Sequence, residues 1–258
     1  MVERCEATND NKPNAILVCV DYADLLAITL PANRHHFNRV VVVSSSADGK
    51  AQLIATRNGA ENFITESFYD DGAAFNKWKA LEQGLDFMGR RGWICILDAD
   101  VLWPENSDVD TSKLEWETLY GCHRRMLHQW PHVAIPVESE WAQLPNHPNV
   151  NEWAGFTQLF HAQDSHLGTP PWHETDWLHA GGADSFFQDN WPRDDKMRLP
   201  FEVLHLGPDG HNWCGRASAY ADGGKHPLAD QRREQLLGFW QTRKNTRSFD
   251  SEKIGGET

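Results

Sequence analysis

The first hundred residues carry short, continuous apolar runs separated by polar stretches of helical spacing. "AILVCV" (15–20), "RVVVVSSS" (39–46), "ENFIT" (61–65) and "GWICILDAD" (92–100) are the runs. The first, second and fourth lack polar alternation, the pattern of strands covered on both faces. Between them, "DYADLLAITLPANRHHF" carries Leu25, Leu26, Ile28 and Leu30 at helical spacing, with a stop expected near Pro31. "KAQLIATRNGA" predicts an amphipathic helix ending at Asn58-Gly59. "AAFNKWKALEQGLDFMG" places Phe75, Trp78, Leu81, Leu85 and Met88 on one stripe and closes on Gly89. Strands alternating with helices at this rhythm predict a parallel sheet with right-handed crossovers. Residues 14–104 therefore read as a Rossmann-like α/β half.

The remainder changes character. "EWETLYGCHRRMLHQW" is read as a helix, and "HVAIPV" (132–137) as a short strand. "WAGFTQLFHAQD" contains another strand, residues 165–200 are loop-rich, and "FEVLHLG" (201–207) is a last strand carrying His205. "LADQRREQLLGFWQTRK" predicts a C-terminal helix, and "SEKIGGET" a fraying end. The chain is read as one domain, 1–258: a nucleotide-binding half (14–104), an acceptor- and metal-completing half (105–215) and a helical tail (216–258).

Composition narrows the function. A net charge of −13 opposes general nucleic-acid affinity, which needs a positive field. Twelve tryptophans favour core and rim packing, with sugar or base platforms as a second use. The five cysteines show no CxxC spacing, and Cys19 and Cys95 lie in apolar runs as small hydrophobes. An unpaired set predicts a reducing compartment. The polar start "MVERCEATNDNKPN" lacks a signal-peptide core, and no apolar run is long enough to span a bilayer, so a cytoplasmic, non-membrane protein is expected.

Candidate chemistry concentrates in "RRGWICILDADVLWP" (90–104), where an apolar strand runs into Asp98-Ala99-Asp100. On an extended chain, side chains two apart share a face at roughly 7 Å. Both acids would then meet one site at the carboxyl end of a parallel strand, where open α/β sheets bind ligands. A divalent cation is the natural partner of two such carboxylates, with coordination positions left for phosphate oxygens. Turn-capping explains one Asp but not two. Two chemistries use the arrangement: a metal held against a nucleotide-sugar diphosphate, and a haloacid-dehalogenase-like phosphatase with Asp98 as nucleophile. The phosphatase motif follows a first strand, whereas here three strand candidates precede it. A sugar-binding module without catalysis is a third possibility.

With its surroundings, the motif is similar to the nucleotide-binding half of GT-A glycosyltransferases. A first strand leading to Asp21-Tyr22, a second leading to Asp48, "AAFNKWKALEQGL" and "GWICILDADVLWP" carry the resemblance over about residues 14–104. "GFTQLFHAQD", "LHAGGADSFF" and "VLHLGPDGHNWCGR" extend it loosely; after the glycines only Asp184 stands where an acidic pair is commoner. The resemblance implies a GT-A fold, Mn²⁺ or Mg²⁺, and a nucleotide-diphosphate sugar, a UDP-sugar above others. It places Tyr22 and Asp48 at the base or ribose and Lys77 at the donor phosphates or base. Asp98 lies by ribose and metal, Asp100 on the metal, and His205 as third protein ligand. Asp184 is the general base if the enzyme inverts. Plainer roles compete: Tyr22 as packing, Asp48 as a turn residue, Lys77 as a solvated charge, Asp184 as a helix cap. His35-His36 reads as a wet helix end.

The acceptor is expected to be a hydroxyl on a glycan or small molecule. A second reading comes from "QRREQLLGFWQTRKNTR" (231–247) and "HRRM" (123–126). There, basic residues lie among Phe239 and Trp240, a pattern that holds phosphates and stacks bases. It points to 5-hydroxymethylpyrimidines in viral DNA, against the plainer reading of a solvated amphipathic helix.

Overall fold

A computed structural model describes residues 11–146, 153–207, 229–235 and 237–238. Among them, β1 (Asn14–Val18), β2 (Val40–Ser44), β3 (Glu61–Ile64), β4 (Trp93–Asp98), β5 (Val101–Leu102), β6 (Leu119–Leu127), β7 (Thr157–His161) and β8 (Lys196–Leu206) form one sheet. Its order is β3-β2-β1-β4-β7-β6-β8-β5. β3, β2, β1 and β4 are mutually parallel, and β7 runs antiparallel beside β4. The protein is thus mixed α/β with a mostly parallel, Rossmann-like first half, as its apolar runs predict.

Alternate residues of the buried strands pack onto opposite layers. Ala15, Leu17, Val40, Val42, Cys95 and Leu97 meet Leu25, Leu26 and Leu30 of helix α1 (Ala23–Asn33) and Ala51 and Ala55 of α2 (Gly49–Arg57). Ile16, Val18, Val41, Val43, Ile94 and Ile96 meet Trp78, Leu81 and Leu85 of α3 (Lys77–Met88) and Phe187 of α4 (Ala183–Gln188). Gly89 ends α3 in the left-handed conformation at φ 94°. Cys19, Cys95 and Cys122 are buried free thiols.

Four expectations fail, each for a physical reason. α1 does not stop at Pro31 but runs through it to Asn33. The missing N–H is outweighed by burial of Leu25, Leu26 and Leu30 and by Asn33, which donates to the Val101 carbonyl and accepts from the Trp103 amide. The stretch read as a helix from Glu115 is strand β6, which lies between β7 and β8 and so lacks the alternation that marks a half-exposed strand. Residues 132–137 form no strand; Pro136 interrupts the run and Val137 is 65% exposed. His36 is no wet helix end: it is fully buried beside Trp103, and burial lowers its pKa to about 4.

The last strand is longer than the sequence indicates. β8 begins at Lys196, and its register against β6 slips between Gly121 and His123. Pro200, which has no N–H to give the ladder, sits in that irregular stretch.

Close approach of α3 to the sheet depends on Gly84. A Cβ there would lie 2.5 Å from Val43 Cγ2 and 2.9 Å from Ile16 Cδ1. Gly84→Ala gains roughly 1 kcal/mol of helix propensity. Overpacking against a stiff, buried valine costs about 1–3 kcal/mol, so net destabilisation of about 1 kcal/mol is expected. Urea unfolding should show a lower midpoint; an unchanged or raised one would mean that α3 moves off the sheet freely.

Candidate active site

β4 ends at Asp98, and Ala99 and Asp100 form a turn before β5. The two acids therefore do not share a single extended strand, and the turn gives them different surroundings. Thr29 Oγ1 pins it from α1 by donating to the Ala99 carbonyl at 2.7 Å. The Asp98 side chain is 30% exposed and that of Asp100 only 7%.

Lys77 answers Asp98. Asn76 caps α3 by accepting from the Lys79 amide at 3.0 Å, which sets Lys77 as the first helical residue. Its Nζ then reaches Asp98 Oδ1 at 2.5 Å and lies 4.8 Å from the centre of the Trp78 ring. Burial works against the ammonium, but the carboxylates of Asp98, Asp184 and Asp100 outweigh it and raise the Lys77 pKa. Burial also pushes the Asp98 carboxyl up, Lys77 opposing and Asp100 reinforcing the shift. Both directions hold together when one proton-rich cation serves several crowded carboxylates.

His205 answers Asp100. The Leu206 amide donates to the Asp100 carbonyl at 2.8 Å, and β5 pairs Val101 with His205. This ladder brings His205 Nε2 to 3.3 Å from Asp100 Oδ2, joining residues far apart in the chain. Nδ1 of His205 is buried with no hydrogen-bond partner among the described residues.

Asp184 is brought to the same place from the other side. It lies in the first turn of α4, after Gly182 at φ 105°. Its Oδ2 accepts from the Gly155 amide at 2.8 Å, while the next residue's carbonyl, Phe156 O, accepts from the Asp98 amide at 3.1 Å. A two-residue segment thus holds the Asp184 carboxylate and the main chain of Asp98. Gly155 admits the contact: a Cβ would sit 2.8 Å from Asp184 Cβ and 3.2 Å from Trp78 Cη2. The sequence offers no sign of this role beyond a lone glycine before β7.

The nucleotide-side residues are differently placed. Asp48 caps α2 by accepting from the Ala51 amide at 3.1 Å, and its other oxygen accepts from the Asp21 amide at 2.7 Å. It therefore ties the turn after β2 to the turn after β1, where Asp21 holds φ 65°. Tyr22 is 7% exposed and belongs to the hydrophobic cluster beneath α1 and α2. So covered a ring offers little surface for stacking in this conformation.

Two further residues support the site in ways the sequence does not indicate. Glu82 is buried in α3 and accepts from the amides of Trp172 and His173, from His173 Nδ1 at 2.6 Å and from Arg90 Nη2 at 2.7 Å. His173 stacks between Trp78 and Phe187, so this carboxylate fastens the loop before α4 to the helix bearing Lys77. Arg232 is the second. It is read from sequence as part of an outward basic patch, but it is fully buried over the Phe75 ring. Its Nε donates to the Ala74 carbonyl at 3.2 Å and Nη2 lies 3.5 Å from Asp21 Oδ2. Arg125 of the "HRRM" knot is likewise committed, in a two-pronged pair with Glu202. Phe239, Trp240, Arg243, Lys244 and Arg247 lie outside the described residues, as does most of "GPDGHNWCGR".

Among the described residues, no three His, Cys, Asp or Glu side chains converge as a ready-made metal cage. Asp100 and His205 instead form a pair, with Asp98 held off by Lys77. The Asp100 carboxylate and the His205 imidazole could contribute two ligands to an oxygen-preferring divalent ion that tolerates nitrogen, with the remaining positions left to ligand oxygens.

No protein-family model matches the chain, and no curated protein does. Solved structures resemble it at low identity. Glucosyl-3-phosphoglycerate synthase of M. tuberculosis matches at 12% identity and a TM-score of 0.49, over 88% of this chain and 80% of that one. A mycobacterial protein matches at 13% identity and 0.44 over 76% of this chain, which spans 65% of that protein's length. Mannosyl-3-phosphoglycerate synthase from Rubrobacter xylanophilus matches at 16% and 0.39, over 58% and 53%. Likeness at this level carries nothing about activity; the site's own residues do. No helix among the described residues is long and apolar enough to cross a membrane.

The Lys77–Asp98 pair is the contact whose loss should be felt most. Lys77→Met leaves a crowded carboxylate without its cation, at an expected cost of about 1–3 kcal/mol, below that of a fully buried pair because Asp98 keeps part of its surface in water. Adding Asp98→Asn should recover part of that loss. If the two changes are simply additive in urea unfolding, the pair is not coupled.

Proposed function

We propose that the protein is a metal-dependent glycosyltransferase of GT-A type, moving a sugar from a nucleotide-diphosphate donor to an acceptor hydroxyl. The observation that carries this reading is the convergence of Asp98, Lys77, Asp100, His205 and Asp184 at the carboxyl end of β4. The donor is a UDP-sugar in this reading, lying across the carboxyl ends of β1, β2 and β4. Asp21 and Asp48 shape the base and ribose end through their mutual hydrogen bond, with Tyr22 beneath as packing.

Asp100 and His205 would hold Mn²⁺ or Mg²⁺, with Asp98 oriented toward it and the ribose. Such an ion supplies charge neutralisation for a departing diphosphate. Lys77 adds a fixed positive charge on the same side and keeps Asp98 oriented. Asp184, held by the Gly155 amide, would accept the proton of the acceptor hydroxyl in an inverting transfer. The acceptor is a glycan or small-molecule hydroxyl. Modified DNA is less well supported, because Arg232 and Arg125 are already engaged inside the protein. The phosphatase alternative is weakened by the position of Asp98, on the fourth strand and gripped by Lys77.

The test is incubation with UDP-sugars and Mn²⁺ while following UDP release. Release should stop with EDTA and return with added Mn²⁺. Asp100→Ala should lower turnover by a factor of a hundred or more, about 3 kcal/mol in transition-state stabilisation. Asp184→Asn should lower kcat while donor affinity holds. EDTA-insensitive turnover, or near-normal turnover in Asp100→Ala, would remove the metal role. Phosphate release from monoesters without sugar transfer would favour the phosphatase.

A further inference from the structure

At the amino end of β4, opposite the edge that carries Asp98, lies a cavity of about 420 Å³. Trp93 in its wall and Asp98 are the two ends of β4, five steps apart, a distance of roughly 16 Å at about 3.3 Å per residue. The cavity is therefore not part of the site described above.

Its wall contains a layered aromatic stack. Trp93 meets His161 edge-on at 5.3 Å, and His161 stacks on Trp116 at 4.2 Å and 21°. His161 is 5% exposed whereas Trp116 is 58% exposed, so the indole is backed by protein and open to solvent. Burial lowers the His161 pKa, and its Nδ1 accepts from the Gln163 amide at 3.3 Å. A neutral ring behind the indole makes the stack a fixed apolar platform rather than a cationic one.

Polar side chains surround that platform. Asn11, Asn14, Asn38 and Arg91 line the cavity, and no acid is among its lining residues. Lys12, also in the wall, is occupied by Asp108 at 3.3 Å and the His35 carbonyl at 2.7 Å. Amides, each both donor and acceptor, thus outnumber available cations. This combination suits a pyranose ring, whose C–H face is apolar and whose edge carries hydroxyls. It suits a nucleotide less well, since phosphate needs more positive charge than Arg91 supplies in a chain of net charge −13. The volume falls within the range of small-molecule sites, about 300–1,000 Å³.

We propose that Trp116 is the platform of a second carbohydrate-binding site, at the amino ends of β1 and β4, that takes a sugar unit independently of metal and nucleotide. It holds a neutral oligosaccharide by stacking and amide hydrogen bonds and does no chemistry there. The inference stands apart from the reading of the β4 carboxyl end.

Binding of maltotriose, cellotriose and chitotriose to the full chain, followed by saturation-transfer NMR and calorimetry in the presence of EDTA, tests it. At least one trisaccharide should bind saturably in the millimolar range or tighter. Trp116→Ala should weaken that binding at least tenfold, Trp116→Phe less, and Asp100→Ala not at all. Trp116 is exposed enough for both substitutions to leave the fold intact, which circular dichroism would verify. Absence of saturable binding by all three sugars would overturn the proposal, as would binding that survives Trp116→Ala or is lost in Asp100→Ala. UMP binding abolished by Trp116→Ala would assign the platform to nucleotides and overturn it equally.

Discussion

Asp98 and Asp100 stand within Coulombic reach of each other at the end of a strand buried among apolar residues. Burial and the Asp100 charge both push the Asp98 carboxyl up, so the two acids are costly to keep together. The surrounding structure can be understood as the set of contacts that offsets this. Lys77 at the start of α3 neutralises one acid, and His205 on β8 faces the other. Asn76 positions the first of these partners, and the β5–β8 ladder the second. Thr29 locks the turn between them. In the proposed reading, a site that keeps its acids apart with separate partners takes up a cation together with the donor diphosphate.

Most of the first half of the molecule could be read from its residues because its buried strands and α3 carry local patterns. Val40–Val43 and Ile94–Leu97 are uniformly buried, and α3 shows its stripe from Trp78 to Met88. The second half resisted because its strands are determined by partners distant in sequence. β6 carries Arg124 and Arg125, which look solvent-bound until Glu202 and Phe156 are brought alongside. β7 and β8 pair with strands from both halves, and no local pattern records such pairing.

The site shows the same division. That Asp98 and Asp100 lie at a strand end follows from the apolar run before them, and the strand bearing His205 is visible for the same reason. The roles of Gly155, Glu82 and Arg232 were invisible. A glycine amide that holds Asp184, a buried glutamate that fastens the loop at His173, and an arginine buried over Phe75 are set by tertiary contact alone. Arg232 also shows why composition misleads. A basic cluster in a linear segment invites a nucleic-acid reading, yet one of its members, Arg232, is engaged with the Ala74 carbonyl and Asp21.

In the proposed function the protein supplies only part of a cation's coordination and a diphosphate supplies the rest. Titration of Mn²⁺ followed by electron paramagnetic resonance, with and without UDP, addresses it directly. The account predicts weak Mn²⁺ binding alone, binding at least tenfold tighter with UDP present, and loss of that gain when Asp100 and His205 are both replaced by alanine. Equal Mn²⁺ affinity with and without UDP, or a gain that survives the double replacement, would contradict it.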